Sequence, residues 1–82
     1  MESPPPVALT ISGSDCSSGA GLQADLKTFS RFGVHGLTVV TSVMAETPVL
    51  VSGLHGVEPA VVEEQTGLLL ESFPVRAVKT GV

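Results

Sequence analysis

The stretch VALTISGSDCSSGAGLQADLKTF, residues 7–29, decides the fold. Val7 to Ser12 is a short β-friendly run, apolar on both faces, as a strand buried within a parallel sheet requires. Gly13 to Gly21 then gathers glycine, serine and aspartate, the residues of loops and turns. From Leu22 to Phe32 the period changes, with Leu22, Leu26 and Phe29 falling on one helical face. Asp25 lies in the first turns, where the positive end of a helix dipole favours a carboxylate, and Gly33 supplies a C-terminal stop.

Working outward, Pro4-Pro5-Pro6 is a stiff lead-in that cannot join a sheet interior. Leu37 to Ala45, LTVVTSVMA, reads as a second buried strand, and Thr47-Pro48 as the turn after it. Val49 to Val57, with two glycines and mixed polarity, is a short strand or an extended connector. Glu58-Pro59 opens a second helix with proline at its first position. One face of that helix carries Val61, Val62, Gln65, Leu68, Leu69 and Ser72, and Pro74 ends it. Val75 to Val82, VRAVKTGV, is a further buried-type strand. This alternation predicts a three-layer α/β sheet with helices outside and right-handed crossovers.

Composition narrows the class. The chain has 82 residues, 43% of them hydrophobic and only 15% charged. A free-standing domain this small has proportionally more surface to cover with polar groups. The low charge therefore predicts a part of something larger, as does a last strand with no helix following to cover it. The net charge of −4, the lack of a basic cluster and the lack of stacking aromatic pairs disfavour nucleic-acid binding. MESPPP is not a signal peptide, and no apolar run approaches the roughly 18 residues of a membrane span. A single Cys16 cannot form an internal disulfide, which fits a reducing, cytoplasmic compartment.

Several residues are candidates for chemistry. Gly13 and Gly19 have the P-loop gap, but Ala20 and Gly21 stand where lysine and serine or threonine belong. Gly19-Ala20-Gly21 does not continue into GxGxxG either. Local pattern alone favours a plain strand-to-helix turn. Ligands of open α/β sheets nevertheless sit at the carboxyl ends of strands. There a bare Gly13 lets a flat ligand approach the backbone, with Ser14 and Asp15 as polar partners. Asp25 either complements the helix dipole or accepts a hydrogen bond in the same pocket. Glu46 closes an apolar strand at that edge. It is either a solvated loop charge or an acceptor for the amino group or ring N–H of a heterocycle. Cys16 reads as a loop residue, because neither His35 nor His55 sits in a recognisable pairing with it. No cluster has metal-ligand spacing. Lys79 reads as a snorkelling strand-edge lysine or as a residue facing an anionic ligand.

ALTISGSDCSSGAGLQADLKTFSRFGVHG resembles the opening of the hydroxymethylpyrimidine/phosphomethylpyrimidine kinases, thiamine-pathway members of the ribokinase-like superfamily. VVTSVMAETP and AVKTGV resemble that family's next strand and its KxG segment, so the likeness runs from Val7 to Val82. It implies the N-terminal part of a ribokinase-like three-layer α/β/α sandwich with a mainly parallel sheet. Residues 1–82 would be a fragment of a single kinase domain, with 1–6 as lead-in. The implied activity is MgATP-dependent phosphorylation of 4-amino-5-hydroxymethyl-2-methylpyrimidine and its monophosphate. Alternatives are a non-catalytic fragment or a pyridoxine-type kinase.

Carried over by position, Gly13 is a backbone wall of the pyrimidine pocket, and Asp25 bonds the hydroxymethyl end or orders the site. Glu46 binds the aminopyrimidine edge, and Val82 lies against the ring. The resemblance places the ATP site, the anion hole and the proton acceptor in a C-terminal half that nothing here resembles, so no catalytic residue is expected in this chain. It also implies a homodimer for the full-length form. Two departures stand out. Ser18 replaces a glycine of the family's D-x-S-G-G-A-G, and Thr47-Pro48 replaces its Asn-Thr.

Overall fold

The structure is a computed structural model and describes residues 3–81. The order is β1 (Val7–Asp15), α1 (Gly21–Arg31), β2 (His35–Thr47), β3 (Leu50–Gly56), α2 (Pro59–Ser72) and β4 (Val75–Thr80). The four strands form one sheet in the order β3-β2-β1-β4. β1 runs parallel to β2 and to β4, whereas β2 and β3 are antiparallel. The expected mixed α/β fold with a mainly parallel sheet is therefore present.

Side-chain alternation along β1 assigns the two helices to opposite faces. Leu9 and Val39 are fully buried and, with Val7 and Leu37, form the core against which Val62 and Leu69 of α2 pack. Thr10 points the other way and bonds Asp25 of α1. Within α2, Val62, Gln65 and Leu69 face the sheet. Gln65 uses both ends of its amide, accepting from Val40 N–H at 3.1 Å and donating to Val40 C=O at 3.2 Å. Val61 and Leu68, expected on the same face, are exposed, so the buried stripe is narrower than the sequence suggests.

Local rules place the helix ends. At the end of α1, Gly33 takes φ +71°; its N–H bonds Ser30 C=O and that of Val34 bonds Phe29 C=O. This is the Schellman arrangement, which needs a left-handed residue where glycine is cheapest. α2 opens with Pro59 in its first turn and stops before Pro74. Asp25 is not in the first turn of α1, which holds no acidic residue. A dipole effect fades within one turn, so side-chain partners, not the helix end, hold this carboxylate.

Two details shape the carboxyl edge of the sheet. The segment expected to be loop from Gly13 is strand as far as Asp15, because the β1–β2 register shifts between Ser12 and Ser14 and pairing then resumes. Such a bulge re-aims a strand end without ending it. Within Val49 to Val57, ambiguous in the sequence, Leu50–Gly56 is strand β3, joined to β2 by a turn at Pro48-Val49.

Candidate functional site

The carboxyl edge brings the end of β1, the start of α1 and the end of β2 together. Gly21 makes that approach possible. It has φ +64°, and a Cβ there would lie 2.5 Å from Gly13 C=O and 3.3 Å from Asp15 N–H. Only glycine lets the helix start so close to the strand it follows. Gln23 then ties the two, accepting from Asp15 N–H at 2.9 Å and donating to Ser14 Oγ at 2.8 Å.

Asp15 organises the loop between them. Its side chain accepts from Ser17 N–H at 2.8 Å, Ser17 Oγ–H at 2.7 Å and Ala20 N–H at 2.9 Å. The Ser17 hydroxyl, with the surrounding amides, holds this carboxyl below the ordinary range against the upward push of burial. The loop it winds carries Ser18 at φ +64°, in the left-handed region.

Glu46 stands across a cavity of about 470 Å³ from this loop, which Asp15, Ala20, Pro48 and Leu50 also line. Cys16 anchors its backbone, since Glu46 N–H donates to Cys16 Sγ at 3.4 Å and the thiol donates back to Glu46 C=O at 3.3 Å. Removal from water pushes the Glu46 carboxyl up, and the neighbouring Asp15 charge pushes the same way. A second, tighter groove of about 180 Å³ is lined by Ser12, Gly13, Ala20, Gly21, Met44, Lys79 and Gly81. Ala20 lines both, so the two hollows adjoin.

Beneath the second groove, Asp25 accepts from Thr10 Oγ1–H at 2.6 Å and from Lys79 Nζ at 2.8 Å. Burial pushes its carboxyl up, but the Lys79 and Thr10 bonds and the Lys79 charge outweigh that, and the net direction is down. Lys79 is thus the partner of Asp25, linking β4 to α1.

The predicted residues are therefore divided. Glu46 lines the larger cavity, Gly13 the smaller, and Asp25 lies behind the smaller one, bonded to its lining residue Lys79. Val82 lies outside the described residues. Sequence reading missed the clamps, Cys16 on Glu46 and Asp15 on the loop. The signal for Asp15 was the spacing Asp-x-Ser, the pattern of a side chain bonding an amide two residues on. Nothing local marked Cys16, whose partner lies 30 residues away.

An acidic acceptor beside bared backbone, at the carboxyl ends of parallel strands, is the layout of a small-molecule pocket in an open α/β sheet. Residues 15–82 match the phosphomethylpyrimidine kinase family, and the chain belongs to it. A hydroxymethylpyrimidine/phosphomethylpyrimidine kinase of Synechococcus elongatus is 44% identical over 77 residues, covering 94% of this chain and 29% of that protein. Among solved structures, a phosphomethylpyrimidine kinase of Clostridium difficile aligns with a TM-score of 0.89 and 42% identity over 93% of this chain and 35% of that one. A Bacillus subtilis pyridoxal kinase in an ADP complex aligns with a TM-score of 0.88 and 38% identity over 95% of this chain and 31% of that one. The fold is that of the ribokinase-like kinases, and the chain spans about a third or less of these relatives' lengths.

Proposed function

We propose that residues 1–82 form part of a single ribokinase-like kinase domain, with 1–6 as its lead-in. The whole protein phosphorylates 4-amino-5-hydroxymethyl-2-methylpyrimidine and then its monophosphate, with MgATP as donor, to supply thiamine synthesis in the cytoplasm. It works as a homodimer. The share of each relative that this chain spans supports the domain assignment. So do the apolar side chains left exposed on β3 and β4, among them Val51, Leu54 and Val78.

One observation carries the substrate assignment. Glu46 faces a cavity at the carboxyl edge, its side chain among the residues that line it. A carboxylate there accepts from an exocyclic amino group, the donor an aminopyrimidine edge presents. Gly13, in the adjoining groove, offers bare backbone to the ring face, and Asp25 orders that groove through Lys79. Phosphoryl transfer rests on positioning and on neutralising charge at the moving group. This chain supplies the first for the pyrimidine. Nucleotide and magnesium are held by residues other than those described here, and the chain by itself is non-catalytic.

The test is a Glu46→Ala variant of the protein carrying this chain. KM for the pyrimidine should rise while KM for ATP holds. Absence of mono- and diphosphate products from the unaltered protein, or equal loss toward both substrates in the variant, contradicts the assignment. The pyridoxal kinase similarity favours one second reading, a pyridoxine-type ring in the same pocket. Comparing rates on pyridoxine and the aminopyrimidine separates the two.

A further inference from the structure

Behind the smaller groove lies a chain of hydroxyls whose proton directions can be deduced. Thr10 Oγ1 lies 2.6 Å from Asp25 Oδ2 and 3.0 Å from Ser12 Oγ. An ionised carboxylate only accepts, so Thr10 donates to Asp25. With the Thr10 proton committed, the contact between the hydroxyls has Ser12 donating to Thr10. Its proton therefore points to Thr10, and the lone pairs of Ser12 Oγ are what it has left to offer. The residue lines the groove, with 2% of its surface exposed.

Opposite in character, Lys79 lines the same groove. Its ammonium has three protons, and Asp25 takes one of them. The groove therefore sets an acceptor of fixed direction beside a cationic donor. An alcohol meets both at once, donating to Ser12 and accepting from Lys79. A methyl group meets neither.

We propose that Ser12 is a ligand-binding residue that selects for a hydroxyl group in this groove, its acceptor role enforced by the Thr10–Asp25 relay. This rests on the pocket assignment above and adds to it the residue that reads the hydroxymethyl arm. Ser12 is a strand-interior residue with apolar neighbours, and the sequence alone gave no reason to single it out.

The test is affinity of the full chain for matched ligand pairs, followed by NMR titration. One pair is 4-amino-5-hydroxymethyl-2-methylpyrimidine and the analogue with a methyl in place of hydroxymethyl. The other is 3-pyridinemethanol and 3-methylpyridine. In each pair the alcohol should bind more tightly. Ser12→Ala should erase about five- to ten-fold of that preference, the worth of one hydrogen bond, while leaving the methyl compounds unchanged. Thr10→Val frees the Ser12 proton and should reduce the same preference. If only the pyridine pair shows the preference, Ser12 keeps its role and the pyrimidine assignment fails. If neither alcohol is preferred, or Ser12→Ala weakens alcohol and methyl compounds equally, the inference is overturned.

Discussion

The central strand pair and the flanks of this chain are built from similar residues with opposite outcomes. In β1 and β2, Leu9 and Val39 are wholly buried on the face that α2 covers. In β3 and β4, Leu54 and Val78 stand more than half exposed, as do Leu68 and Leu70 of α2. Valine- and leucine-rich strands read alike in sequence whether neighbours cover them or not. What separates the two regions is position in the sheet: β1 has a strand on each side and helices on both faces, whereas β3 and β4 are the outer strands of the order β3-β2-β1-β4.

Substitutions sharpen that contrast, and the largest effect belongs to the centre. Leu9→Ala should cost about 2–5 kcal/mol, the range for emptying a packed core site. Leu54→Ala, on the exposed flank, should stay within about 0.5 kcal/mol. Urea unfolding of both variants measures the gap; equal losses would mean that the flank is packed in solution. Next comes Gly21→Ala. The left-handed backbone alone costs about 1–2 kcal/mol, and the approach to Gly13 C=O forces a shift as well. A wild-type midpoint for this variant would mean that the helix start is not held against β1.

Acid should act on the centre and edge through the carboxylates. Asp15 and Asp25 have folded pKa values below the ordinary 3.8. Their contribution is therefore full above that value and is lost as pH falls through the lowered ones. Glu46 works in reverse. Its folded pKa lies above the ordinary 4.5, so it weakens folding as pH rises through the window from 4.5 to the raised value. Asp25→Asn and Glu46→Gln should remove these dependences separately in acid titrations monitored by circular dichroism. An unchanged acid profile in Asp25→Asn would contradict its role as a bonded carboxylate. The smallest expected effect is at Ser18. Glycine there relieves the positive φ but adds unfolded-state entropy, so Ser18→Gly should gain no more than about 1 kcal/mol, with the loop otherwise unchanged.

How much of this was legible follows the same division. β1, α1, β2, α2 and β4 were readable because each carries a local signal: two-sided apolar runs, a 3.6 period, Pro59 at a helix start, Gly33 at a helix stop. Gly13 and Glu46 were readable as candidates because strand ends are where ligands of such sheets sit. β3 was not, since its pairing with β2 is a property of the sheet and its own residues mix polarity. The clamps on the site escaped for a related reason. Cys16 reaches Glu46 and Lys79 reaches Asp25 across 30 and 54 residues, and no local pattern encodes such a pairing. For Asp25 the sequence leaves both the helix dipole and a hydrogen-bond acceptor role open, and its actual partners, a hydroxyl and an ammonium, come from two strands.

The most direct measurement is an NMR shift map of the isotopically labelled chain titrated with 4-amino-5-hydroxymethyl-2-methylpyrimidine. Shifts concentrated on Gly13, Ala20 and Glu46 are the predicted result. Shifts centred instead on Arg31, His35 and Gly36, which line a separate hollow at the opposite end of the strands, would contradict it.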